Sequence, residues 1–138
     1  MSFSIYISAF NDEDSAWISA QDIRARFAAY VIAEDRQTLY LQFSSPASPA
    51  AILGFETDAR EMIDGFYVNH PPDEIEFWDI VAGILRDHPC LLYWPGTSAV
   101  MGSLELLPHI PKFFIEKLGI PFVSTDGETI RRYVGENS

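Results

Sequence analysis

At 138 residues, with 48% hydrophobic and 14% aromatic content, the chain has the length of one globular domain and far too much apolar content for a disordered acidic tail. Twenty Asp and Glu against nine Lys and Arg leave a formal charge of −11, which argues against nucleic acid or an anionic membrane as partner and favours a basic one. A single cysteine, Cys90, excludes an internal disulfide and fits a reducing cytoplasm; no stretch approaches the roughly 18 apolar residues of a membrane span, and the start carries no basic signal region.

Residues 3–10 (FSIYISAF) alternate, with Phe3, Ile5, Ile7 and Ala9 on one side and Ser4, Tyr6, Ser8 and Phe10 on the other, which predicts a strand. Residues 11–15 (NDEDS) read as an acidic turn. Ser19 then stands as a hydroxyl N-cap before Ala20-Gln21-Asp22, opening a helix predicted to run to about Val31 with Ile23, Phe27, Tyr30 and Val31 as its core stripe. Glu34 to Gln37 turn the chain, and residues 38–43 and 51–56 are predicted strands joined by a Ser/Pro loop over 44–49. Residues 61–69 (EMIDGFYVN) read as one further strand, with Gly65 marking a bulge or a close packing contact.

His70-Pro71-Pro72 stops that strand, and Asp73 followed by Glu76 forms an acidic capping box for a helix over 75–85. Its apolar residues cover most of the circumference and leave Glu76, Asp79, Gly83 and Arg86 as a narrow polar stripe. Residues 90–94 (CLLYW) between prolines predict a buried strand ending in the turn Trp94-Pro95-Gly96-Thr97-Ser98. Two short helical turns, 104–107 and 111–118, are separated by Pro108 and closed by Gly119; residues 121–124 are a predicted edge strand, and Thr125-Asp126-Gly127-Glu128 a capping box for a last helix facing inward with Ile130, Tyr133 and Val134. The predicted fold is α+β, a single domain over 1–138 with helices packed on a mostly antiparallel sheet in the order β-α-β-β-β-α-β-α-β-α.

Motifs of catalysis are absent from this pattern. His70, His88 and His109 lack the spacings that recur in zinc sites, so no metal ligands and no cofactor are expected. Cys90 with His88 two residues away is a conceivable nucleophile and base, but a cysteine opening an apolar strand reads first as a small buried hydrophobe. The Trp94 turn has no lysine and no second glycine for a phosphate, and reads as a tight turn with a packed tryptophan. What distinguishes the chain is its surplus of acids, concentrated in Asp12-Glu13-Asp14, in Glu56, Asp58, Glu61 and Asp64 around Arg60, and in Asp73, Glu74, Glu76 and Asp79. Such a surface serves solubility, or it pairs with a basic partner in fast, salt-sensitive association.

The segments Gly65-Phe66-Tyr67-Val68-Asn69-His70-Pro71, Phe77-Trp78-Asp79-Ile80 through Ile84-Leu85-Arg86, and Leu92-Tyr93-Trp94-Pro95-Gly96 resemble small acidic bacterial proteins regarded as immunity proteins of polymorphic toxin systems. Leu107-Pro108-His109-Ile110-Pro111 and Leu118-Gly119-Ile120-Pro121 are similar to the same group, so the likeness spans roughly residues 61–134. These motifs are aromatics, prolines and glycines that set turns and packing, and they speak to fold rather than activity. The resemblance implies a noncatalytic inhibitor of a cognate toxin domain; the lone cysteine and the net charge add the expectations of a cytoplasmic setting and a basic surface on that toxin. The contact residues expected on physical grounds are Asp12, Glu13 and Asp14 with Trp17 as aromatic anchor, then Asp58, Glu61 and Asp64. An acidic secretion chaperone or adaptor is the alternative, although such chaperones resemble a helix-first pattern and this chain opens on a strand. The apolar helix over 75–85 would be buried within one chain or between two, which makes a homodimer a further expectation to examine.

Overall fold

The computed structural model describes residues 3–43, 51–96 and 98–138; the predicted 44–49 loop and Thr97 of the Trp94 turn lie outside the described residues. Strand β1 (Ser4–Asn11) is followed by the short β2 (Asp14–Ser15) and β3 (Ile18–Ser19), then helix α1 (Ala20–Phe27). Strands β4 (Val31–Glu34), β5 (Thr38–Leu41), β6 (Ala51–Gly54), β7 (Met62–Ile63) and β8 (Gly65–Asn69) lead to α2 (Ile75–Asp87). After it come β9 (Cys90–Trp94), β10 (Ser98–Met101), a 3-10 segment (Leu104–His109), α3 (Lys112–Leu118), β11 (Phe122–Val123) and α4 (Gly127–Glu136).

The strands line up as β11-β10-β9-β1-β8-β6-β5-β4, with β2 folded back on β1 and a separate β3–β7 ribbon. Along this path every pair is antiparallel except β10–β11, so the expected α+β fold with a mostly antiparallel sheet is what the chain forms. The alternation read from residues 3–10 decides the layering. Ile5, Ile7 and Ala9 are fully buried on the inner face and join α1, α2 and α4 in the main core with Phe27, Phe77, Leu92 and Ile130. On the outer face Phe10, Leu91 and Met101 pack against the 3-10 segment and α3 in a second, smaller cluster.

Helix α2 matches its predicted stripe: Phe77, Trp78, Val81, Ala82, Ile84 and Leu85 are buried, and Glu76, Asp79 and Arg86 face water. Those apolar residues are covered by their own chain, so α2 offers no wide apolar face to a second copy. Its N-terminus differs from the expected box. Glu74 is the N-cap and makes no side-chain capping bond; the entry is held instead by Trp78, whose Nε1–H donates to Pro72 O at 2.9 Å. Asp126, rather than Thr125, caps α4 by accepting from Thr129 N–H at 2.9 Å.

Three other expectations shift. Helix α1 stops at Phe27, passes through a 3-10 turn (Ala28–Tyr30), and Val31 begins β4, because pairing with β5 overrides the helical stripe. Residues 61–69 divide at Asp64: Met62 and Ile63 pair with β3, whereas Gly65–Asn69 pair with β1 and β6. Gly65 is a close contact, since a Cβ there would lie 2.5 Å from Ile7 O. Strand β10 escapes the local pattern because four residues carry too little alternation to read.

Candidate partner-binding surface

The acidic turn is a tight hairpin. Asn11 pairs with Asp14 and Phe10 with Ser15, leaving Asp12 (φ 51°) and Glu13 (φ 63°) as a two-residue loop whose positive φ angles match the twist of flanking strands. It is docked from behind by the 3-10 segment: Asp12 N–H donates to His109 Nδ1 at 3.0 Å, and Glu13 N–H to His109 O at 2.9 Å. The backbone is thereby held; the Asp14 carboxylate accepts from Ser15 N–H at 2.8 Å, and the Asp12 carboxylate, 3.6 Å from His109 Nδ1, is 88% exposed.

Leaving the hairpin, the chain runs alongside the 58–64 loop. Ala16 N–H donates to Ala9 O, Ala9 N–H to Asp64 O, and Ala20 N–H to Glu61 O, while Ile18 pairs with Ile63. Trp17, 45% exposed, sits between these attachments. Six of the seven residues expected at a partner surface, Asp12, Glu13, Asp14, Trp17, Glu61 and Asp64, are thus exposed side chains at one end of the sheet. Asp58 differs from the rest. It is half-buried, its Oδ1 accepts from the N–H groups of Arg60 and Met62, and its Oδ2 from the Arg60 guanidinium. The Arg60 side chain foremost, with those backbone donors, holds its carboxyl below the usual carboxylate range, so Asp58 shapes the loop that presents Glu61.

Beside the hairpin, Ile110, Ile115 and Ile120 line an apolar hollow of about 380 Å³ that also touches Glu13 and Lys112. Ile120 within it, and Phe113 on α3, are largely exposed. The sequence signal for Phe113 is a short helix bearing more apolar residues than one face can bury.

The remaining candidates settle into the fold. Burial pushes the Cys90 thiol up to about 12, which keeps it protonated and unreactive near neutral pH. The His88 ring donates Nε2–H to Asp22 Oδ2 at 2.7 Å. Arg26 bridges Asp22 and Asp87, both at 2.9 Å, so this charged cluster clamps α1 to the end of α2. Trp94 is buried, with Nε1–H donating to Asn137 O at 2.9 Å. Among the described residues no three His, Cys, Asp or Glu side chains converge on a point where a metal would sit, and no helix is long and apolar enough to cross a membrane. Comparison with known proteins finds no matching family model, no matching curated protein and no matching solved structure.

Proposed function

We propose that this chain is a noncatalytic, immunity-type protein that works in the cytoplasm and neutralises a bacterial toxin domain by covering a basic surface of it. One observation carries the reading: two acidic segments distant in the sequence are drawn to a single end of the sheet, around an exposed tryptophan, on a backbone fixed by His109 and by the β3–β7 ribbon. A desolvatable aromatic ringed by carboxylates is the composition of an interface hot spot facing Lys and Arg. The chain's net charge steers such a partner in from a distance. No cofactor enters this reading.

The test starts with affinity capture from the source organism at low and then high salt, followed by co-expression of the captured partner with and without this chain. Relief of toxicity together with loss of capture as salt rises supports the reading; a partner indifferent to salt and to co-expression defeats it. Simple serine replacements of Asp12, Glu13 and Asp14 would strain the hairpin, so the charge-removing variant is Asp12→Asn, Glu13→Gly, Asp14→Asn, which suits two positive φ angles. Its association rate at low salt should fall about tenfold, with the difference closing at high salt and Tm unchanged. Binding of a heat-denatured partner equal to that of the folded one would instead favour a secretion chaperone.

A further inference from the structure

The half of the outer sheet face that α3 leaves open carries an ordered row of side chains. Thr38, Gly54, Tyr67, Tyr6 and Tyr93 are direct register partners across β5, β6, β8, β1 and β9. Tyr6 stacks on Tyr93 with ring centroids 5.6 Å apart, and Tyr93 is anchored in turn by Phe114 and by Ser8 Oγ at 3.1 Å from its hydroxyl. Tyr67 leans the other way, across Gly54, where a Cβ would lie 2.3 Å from the ring. Glycines at 54 and 65 keep the floor at backbone level, and a groove of about 390 Å³ results, with Tyr6 and Tyr67 still 36% and 39% exposed along it. Glu56 and Asp64 complete the lining, and among the described residues no Lys, Arg or His does.

Aromatic faces attract cations, and two carboxylates at the same groove add charge that an anion would meet as repulsion. A planar guanidinium satisfies both features at once, stacking on a tyrosine ring while donating in pairs to a carboxylate. We propose that this groove receives an arginine side chain presented by the partner protein. The proposal rests on the reading above, since Asp64 belongs to both the groove and the acidic end of the sheet, so one continuous surface would take a basic patch and its leading arginine.

The direct test follows the backbone and tyrosine-ring resonances of the folded chain during titration with Nα-acetyl-arginine methylamide, with Nα-acetyl-norleucine methylamide and glucose as neutral probes. Saturable shifts at Gly54, Gly65, Tyr6 and Tyr67 are expected from the arginine derivative alone. Tyr67→Ala, and separately Glu56→Gln with Asp64→Asn, should each weaken that binding about fivefold, with core resonances such as Ile5 and Ile7 reporting an intact fold. Absence of shifts, equal shifts from norleucine, shifts from glucose alone, or indifference to both variants would overturn the proposal. The two readings fail separately. If the hairpin variant weakens partner binding while Tyr67→Ala and Glu56→Gln do not, the groove is refuted and the acidic end stands; if the arginine derivative binds the groove but no salt-sensitive protein partner exists, the arginine site stands and the toxin-binding reading falls.

Discussion

The two faces of the sheet are built from the same strands and are treated differently by the rest of the chain. The inner face is closed by α1, α2 and α4, and residues such as Ile5, Leu39, Val68 and Leu92 have no exposure at all. The outer face is closed only over β9, β10 and the end of β1, where the 3-10 segment and α3 sit on Phe10, Leu91 and Met101. Toward β8, β6 and β5 it is left to Tyr6, Tyr67 and Tyr40, each more than a third exposed. A side chain's contribution to stability follows the water it excludes, so the inner face holds the fold and the outer face is free to be shaped by binding. Tyrosine suits that second role because its ring packs on a neighbour while its hydroxyl stays wet.

Substitutions should grade this difference. The largest effect is expected from Phe77→Ala, which removes a fully buried ring in contact with Phe27, Phe43 and Trp78; a loss of about 3–5 kcal/mol in urea unfolding is expected, and a loss below about 1 kcal/mol would break the assignment of the inner face as the core. Phe114→Ala should cost less, about 1–3 kcal/mol, because this half-buried ring belongs to the satellite cluster with Phe10 and Tyr93. Its more telling consequence is local: resonances of Tyr93 and Tyr6 should shift while those of Ile5 and Ile7 stay in place, and a shift spread equally over both faces would show that the two cores are not separable.

The smallest effect lies at the clamp between α1 and α2. Hydrogen bonds from His88 first, and then from Arg26, hold the Asp22 carboxyl below its ordinary value of 3.8. A carboxylate depressed in the folded state contributes stability at neutral pH that fades as the pH falls through the ordinary carboxylate range toward the folded value. Asp22→Asn should therefore lower stability at neutral pH by well under about 1 kcal/mol, the pair being partly solvent-exposed, and the variant should lose less on acidification to about pH 3 than the parent does. Parallel acid limbs in the two urea-midpoint profiles would remove Asp22 from that role.

Much of this was readable from local pattern. The alternation of residues 3–10 already separates Ile5 and Ile7 from Tyr6 and Ser8, and the α2 stripe is legible because thirteen helical residues sample the full turn several times. The acidic hairpin is conspicuous by composition, and Gly119 reads as a helix stop, which matches its place as the α3 C-cap with φ 78°. The groove was not readable. Tyr6, Tyr67 and Tyr93 become neighbours only through the register of three strands, and Gly54 gains its meaning only from the ring that crosses it. Nor could spacing tell Asp58, tied to its own loop, from Glu61 and Asp64, which face outward.

By itself, then, the sequence determined the kind and the buried side of the long elements such as β1 and α2, and the acid-rich turn, because period, caps and turn residues act within a few positions of one another. The tertiary structure alone decided that residues 61–69 divide between two partners, that Val31 leaves a helix for a strand, and that His109 docks the hairpin. Those outcomes depend on which distant backbone donors and acceptors meet. Hydrogen-bond satisfaction across a sheet is a property of the paired strands, and no single segment carries it.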